Sequence, residues 1–235
     1  MLRKLHTPMM IVNFKTYLEA TGQKAVELAK KIERVSLETK VMIGVAPQFT
    51  DIAAITKAVS IPVFAQHIDP IQQGSHTGQV LAEAIKESGA TGTLINHSER
   101  QLRILDIDAV IKIASERDLV SVVCANNSDI SVATATLKPD IIAIEPPELI
   151  GTGIPVSKAK PEVITNTIKL VRKINKNVMI LCGAGITRGE DVSAALRIGA
   201  QGVLVASGIV KAKDQNMVLR EFAEATKAGR VSFES

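Results

Sequence analysis

Eight short apolar segments recur along the chain, and they limit the folds that it can adopt. Each is rich in β-branched residues, which is typical of strands buried on both faces of a parallel sheet. Their first residues are 21 to 37 positions apart, enough for a helical crossover between parallel strands. We predict strands at Met9–Asn13, Val41–Val45, Val63–Gln66, Thr93–Asn96, Val120–Cys124, Ile141–Glu145, Val178–Cys182 and Gly202–Ala206.

Amphipathic segments of helical period lie between these strands, and Pro161 and Asp191 mark the starts of two of them. Eight alternating strand–helix units in 235 residues predict an α/β fold, a closed (β/α)8 barrel. An open doubly wound sheet is the alternative, but it often has a Gly-rich turn where this chain reads Asn13-Phe14-Lys15. No linker divides the chain, so we predict one domain over 1–235. The expected apolar faces are Ala25, Leu28, Ala29, Ile32; Val110, Ile111, Ala114; and Ile164, Ile168, Val171.

The composition favours a folded protein without a nucleic-acid or membrane partner. Hydrophobic residues make up 46% and charged residues 22%, unlike disordered chains. The net charge of +4 is spread along mixed-sign segments, without the basic clusters and aromatic platforms of nucleic-acid binders. We find no apolar run of membrane-spanning length, and we expect no signal peptide, because no long apolar region follows the basic residues near the N-terminus. Cys124 and Cys182 follow apolar runs, which indicates buried thiols in a reducing compartment, and we expect a cytoplasmic protein.

Polar residues and small-residue turns follow the predicted strands. In a parallel barrel these positions share one mouth, where such folds place their chemistry. A cation, an imidazole and a carboxylate there predict a site for an anionic molecule whose reaction requires proton transfer. The positions are Asn13, Lys15, Gln66, His67, Asn96, His97, Glu99, Glu145, Gly183, Gly185, Ala206 and Ser207.

Each of these residues also has a structural interpretation. Lys15 could be a solvated lysine at a helix start, and His97 a hydrogen-bonded structural histidine. Glu145 could belong to a surface loop, although a carboxylate that ends a buried strand is expected to be partly desolvated and therefore more basic. Apart from His97, the chain has three histidines, His6, His67 and His76. They lack metal-ligand spacing, so we expect no metal site.

Three glycine-containing segments could bind an anion through backbone amides. The segment 148–153, Glu-Leu-Ile-Gly-Thr-Gly, follows two prolines and ends with two glycines, which suggests a mobile segment with defined ends. The turns 183–185 and 206–208 enter helices, where amides often meet phosphate. Plain surface connections would have similar sequences.

At these residues the sequence resembles the triosephosphate isomerase family, whose fold is the TIM barrel. The motifs occur in the family's order from about residue 9 to 225, and their combination is highly specific. Departures such as the missing lid Trp and Ile144 before the glutamate resemble the compact archaeal branch. The matching motifs are Asn13-Phe14-Lys15, Gly74-Ser75-His76-Thr77-Gly78, Asn96-His97-Ser98-Glu99-Arg100, Glu145-Pro146 and Gly151-Thr152-Gly153.

This resemblance implies interconversion of dihydroxyacetone phosphate and D-glyceraldehyde 3-phosphate in glycolysis and gluconeogenesis, without cofactor or metal. It implies Glu145 as the base, His97 as the electrophile, Lys15 as fixed positive charge, and Asn13 and Glu99 in orienting and supporting roles. It further implies phosphate binding, together with Asn13 and Lys15, by amides near Ile150, Gly151, Gly185, Ala206 and Ser207. The loop with Thr77 is expected at the subunit interface of a homo-oligomer, either a dimer or a tetramer.

Two other functions fit parts of the sequence. A lyase or cyclase acting on a larger sugar phosphate would need a roomier cavity and a second carboxylate or lysine opposite the base, for which Glu99 is the obvious candidate. A non-catalytic metabolite-binding barrel would be expected to lack Lys15, His97 or Glu145, and all three are present.

Overall fold

Parallel strands and surrounding helices alternate along the chain in the computed structural model, which describes residues 5–146 and 161–231. The strands form one eight-stranded, nearly closed barrel. All eight predicted strands are confirmed, with bounds that differ by at most one residue at either end. They are β1 Met9–Asn13, β2 Met42–Ala46, β3 Phe64–Ala65, β4 Gly92–Ile95, β5 Val120–Ala125, β6 Ile141–Ile144, β7 Met179–Gly183 and β8 Gly202–Val205. That one domain extends over all of 1–235 stays a prediction.

The helices bury the apolar faces that the sequence predicts. Ala25, Leu28 and Ile32 are fully or almost fully buried, and a helix begins at Pro161 as expected. Among the described helices, none has the length and apolar character needed to cross a membrane. The helices are α1 Gln23–Thr39, α2 Ile52–Ala58, α3 Ala82–Glu87, α4 Ile104–Glu116, α5 Ser128–Ala135, α6 Pro161–Ile174, α7 Gly189–Arg197, α8 Ser207–Val210 and α9 Gln215–Val231.

Side chains alternate between the barrel interior and the layer beneath the helices, as strand geometry requires. On β6, Ile141 and Ala143 belong to the inner cluster, whereas Ile142 and Ile144 pack in the outer one. The same alternation directs the next residue, Glu145, toward the barrel axis at the carboxyl end of the sheet.

The barrel closes between β2 and β3 with little backbone pairing, and we call this contact the seam. A single isolated bridge joins Val45 to Val63, and the Val45 N–H donates to the Pro62 carbonyl over 2.9 Å. The Gln66 side-chain amide adds a bond to the Ala46 carbonyl at 3.0 Å. A side chain therefore supplies part of the closure that a longer strand ladder would provide.

Candidate active site

A cavity of about 250 Å³ opens where the strands end, at the mouth that the sequence predicts for the chemistry. The five residues expected to be catalytic all line it, and so do five of the seven expected to bind the phosphate, because Asn13 and Lys15 belong to both sets. The predicted Ile150 and Gly151 lie outside the described residues. The predicted lining residues are Asn13, Lys15, His97, Glu99, Glu145, Gly185, Ala206 and Ser207.

Glu145 is a buried carboxylate with an unused acceptor. Its exposed fraction is 6%, and Oε2 has no hydrogen-bond partner within the described part of the chain. Burial raises the pKa of Glu145, against the opposing effects of His97, Cys124 and Lys15. A desolvated carboxylate of this kind accepts a proton more readily than an exposed one.

The backbone fixes the tautomer of His97. The Glu99 N–H donates to Nδ1 of His97 over 3.2 Å, so that nitrogen must act as an acceptor. An imidazole that accepts at Nδ1 is neutral and carries its proton on Nε2. Nε2 lies 3.6 Å from Oε2 of Glu145, which is too long for a strong hydrogen bond but places both groups at one cavity.

Lys15 is held in a conformation that few side-chain-bearing residues adopt. Its φ is 47°, in the left-handed region. Its N–H donates to Oδ1 of Asn13 over 2.9 Å, and its carbonyl accepts from the Gln66 amide over 2.9 Å. The ammonium ion then reaches Glu99, with 2.7 Å between Nζ and Oε1. Contacts with both backbone groups of Lys15 therefore offset the backbone strain and direct the cation into the mouth.

The turn after β7 also has an unusual backbone. Ala184 and Gly185 have φ values of 68° and 69°, and both line the cavity. The Asp191 carboxylate accepts from the N–H groups of Thr187 and Arg188, each over 3.0 Å. These bonds anchor the turn to the start of α7, where Asp191 was expected.

The whole barrel has extensive sequence similarity to known enzymes. Residues 8–226 match the family model described as Triosephosphate isomerase. The relative of that name from Methanothermus fervidus is 56% identical over 214 residues, which cover 91% of this chain and 96% of the relative. The relative from Methanocaldococcus jannaschii is 57% identical over 213 residues, with 91% and 97% covered.

The chain belongs to the triosephosphate isomerase family. This membership confirms the resemblance inferred from the motifs, the barrel fold and the enzyme class, an isomerase of triose phosphates. A third relative, the Triosephosphate isomerase of Methanosarcina barkeri, is 54% identical over 214 residues, with 91% of this chain and 96% of the relative covered.

Not every polar residue predicted at the strand ends lines this cavity. His67 instead pairs with Asp69 at 2.9 Å, and burial lowers the pKa of this histidine. Tyr17 and Thr187 do line the cavity, although sequence reasoning missed them. The signal for Tyr17 was available, because it is the chain's single tyrosine and follows Lys15 by two positions.

The two thiols are buried, as predicted. Burial raises the pKa of Cys124 well above its ordinary value and that of Cys182 to about 12, with Glu145 adding to both effects. Thiols that remain protonated are poor nucleophiles. Within residues 5–146 and 161–231, no group of three or more His, Cys, Asp or Glu side chains is arranged to hold a metal ion.

Proposed function

We propose that this cavity interconverts dihydroxyacetone phosphate and D-glyceraldehyde 3-phosphate, with Glu145 as the base. The observation that carries the proposal is the unpartnered Oε2 of Glu145, buried beside the Nε2 of a neutral His97. A base with a vacant lone pair next to a hydrogen-bond donor suits proton abstraction beside a carbonyl group.

In the proposed reaction, Glu145 removes a proton from C1 of dihydroxyacetone phosphate, and the C–H electron pair forms an enediolate. Nε2–H of His97 donates to the carbonyl oxygen as negative charge develops there. The proton on O1 passes through the imidazole to O2. The protonated Glu145 returns its proton to C2, which yields the aldehyde and regenerates both side chains.

Lys15, Asn13 and Glu99 have supporting roles in this proposal. The Lys15 ammonium stabilises the enediolate and the phosphate, while Asn13 orients the substrate and holds the Lys15 peptide through Oδ1. Glu99 is bonded to two of the other groups, because its N–H fixes His97 and its carboxylate meets Lys15. These contacts support a preorganised site in which little reorientation accompanies the reaction.

The phosphate group is proposed to lie against amides of Gly185, Ala206 and Ser207, with Ile150 and Gly151 from the segment outside the described residues. Support comes from the turn at Ala184 and Gly185, because both residues line the cavity with positive φ values and turns of unusual backbone conformation often form anion-binding concavities. Closure of that segment over the substrate, as the resemblance implies, would exclude water from the enediolate.

A coupled isomerase assay with purified protein tests the reaction. We expect turnover of both triose phosphates, and Glu145→Gln to lower kcat by several orders of magnitude because it removes the proton acceptor and little volume. Glu162→Gln, on the exposed first turn of α6, is the matched control and should retain activity. Near-normal turnover by Glu145→Gln would refute the assignment.

The same assay distinguishes the larger sugar phosphates. The cavity, at about 250 Å³, lies below the range of about 300–1,000 Å³ usual for larger ligands. We therefore expect five- and six-carbon sugar phosphates to give no turnover. Preferential conversion of one of them would favour the lyase or cyclase alternative.

Assembly and location belong to the same proposal. The loop 72–79, which contains Thr77, is exposed throughout in the single chain, which supports a role in contacting a partner subunit of a homo-oligomer. Two free buried thiols are compatible with a reducing, cytoplasmic location. Light scattering would test assembly: a monomer at micromolar concentration would contradict it, and mass would distinguish a dimer from a tetramer.

A further inference from the structure

The charge of the cavity is unfavourable for a doubly negative ligand. Among the described residues that line it, Lys15 supplies one ammonium ion, while Glu99 and the reactive Glu145 supply two carboxylates. His97 contributes no charge in the tautomer fixed by the Glu99 N–H. If a triose phosphate binds here as a dianion, further positive charge near the cavity would offset this imbalance.

Lys211 lies beside the phosphate end of the cavity. Its Nζ is 4.4 Å from the centroid of the Tyr17 ring, within the range of a cation–π contact. Tyr17 lines the cavity together with Ser207 and Gly208. The Lys211 N–H donates to the Ser207 carbonyl over 3.0 Å, so the lysine is anchored to the turn where the phosphate is proposed to bind.

We propose that Lys211, held over the ring of Tyr17, is a second substrate-attracting cation, which draws the phosphate group toward the Ser207 side of the cavity. This inference rests on the proposed function. The ammonium does not need to touch the phosphate, because electrostatic attraction acts over about 10 Å at moderate ionic strength. Lys211 raises the rate of capture, while the amides and Lys15 provide the contacts.

An aromatic ring as the partner of Lys211 suits the attraction of an anionic substrate. Within the described residues Lys211 makes no ion pair, whereas Lys15 is paired with Glu99 at 2.7 Å. A carboxylate would hold the ammonium but cancel its charge, whereas a ring orients it and leaves the net charge intact. The backbone that carries the ring is also held in place, because the Tyr17 carbonyl accepts a hydrogen bond from Thr21 Oγ1 over 2.9 Å.

The test is the salt dependence of kcat/KM in Lys211→Met, with Lys57→Met as the control. Both lysines are exposed and both changes remove one positive charge, but Lys57 lies near the end of α2, away from the cavity. At low ionic strength we expect Lys211→Met to lower kcat/KM by about threefold to tenfold, and the deficit to shrink in high salt. Equal values and equal salt slopes for the two variants would overturn the proposal.

Two further variants separate charge from structure. Lys211→Arg keeps the charge and the cation–π contact, so it should restore most of the lost rate. In a Tyr17→Leu background, Lys211→Met should have a smaller effect than in the native chain, because the ammonium is no longer held at the cavity. An undiminished effect there, or failure of Lys211→Arg to restore the rate, would contradict the role given to the pair.

Inorganic phosphate separates this inference from the proposed reaction. Calorimetry at neutral pH should give weaker phosphate binding for Lys211→Met than for Lys57→Met, and this measurement needs no turnover. If the native protein did not isomerise triose phosphates, the proposed function would fail while the phosphate result still tested Lys211. Identical phosphate affinity in both variants would count against the proposal independently of any activity.

Discussion

A β-carbon added to Gly183 would lie 2.4 Å from Cγ of Glu145 and 2.7 Å from its Oε1. The two residues are neighbours because Ile144 on β6 pairs with Cys182 on β7. Glu145 directly follows Ile144, and Gly183 directly follows Cys182. The carboxylate therefore stands in the volume that any larger residue at 183 would occupy. Glycine is required there by contact and not by a left-handed backbone, since its φ is not positive.

Replacement of Gly183 by alanine should displace Glu145 and lower kcat by about a hundredfold, because a shift of about 1 Å in a catalytic group can have that effect. KM should change much less, since the phosphate contacts are elsewhere. Steady-state kinetics gives the comparison, and circular dichroism checks the fold. An unaltered kcat would mean that the glutamate tolerates the added methyl group and that the contact has no catalytic consequence.

Glu145 should reduce the stability of the fold at neutral pH. Burial raises its pKa above the ordinary value of 4.5, so the folded protein binds this proton more tightly than the unfolded chain does. The resulting stabilisation is fully present below about pH 4.5 and is lost as the pH rises through the raised pKa. Above that pKa, the folded protein holds a buried negative charge.

The Glu145→Gln variant measures this effect. We expect a higher Tm than the native protein at neutral pH, and a difference that disappears below about pH 4, where the native carboxyl is protonated in both states. The acid limb of the native kcat/KM profile should also lie above pH 4.5. A Tm gain that persists unchanged into acid would show that ionisation is not its cause.

Lys15→Met should abolish tight binding of a phosphate-bearing transition-state analogue but leave the fold nearly as stable. The ion-pair partner Glu99 has a side chain that is 57% exposed, so loss of the pair should change the unfolding free energy by less than about 1 kcal/mol. Calorimetric titration and urea unfolding provide the two measurements. Native affinity in this variant would contradict the electrostatic role proposed for Lys15.

Gln66→Ala should destabilise the barrel by about 1–3 kcal/mol, since two carbonyls, those of Lys15 and Ala46, lose a donor. Gln66→Glu is the more informative variant, because it keeps the side-chain size but replaces the donor with negative charge facing oxygens. We expect it to be the less stable of the two at neutral pH in urea unfolding. Native-like stability of Gln66→Glu would mean that the hydrogen bonds from this amide to the Lys15 and Ala46 carbonyls do not stabilise the barrel.

The strands and the convergence of site residues could be predicted because both follow from local rules. Apolar runs marked the strands, and parallel topology brought their carboxyl ends to one mouth, so Asn13 and Glu145 were expected to meet. The left-handed backbone of Lys15 and the Tyr17–Lys211 contact depend instead on loop paths. Such paths join units far apart in sequence and leave no periodic pattern, so no rule of spacing finds them.

The weak seam between β2 and β3 couples the thermal stability of the barrel to its activity. Gln66 spans this junction and also bonds to the Lys15 carbonyl, so transient parting of these two strands would release the ammonium-bearing loop as well. Mild heating would then abolish activity before the rest of the barrel unfolds. Among the strands, the amide protons of β2 and β3 would be the first to exchange with solvent. A ligand that holds the Lys15 loop in place would, by the same coupling, stabilise the seam of the barrel.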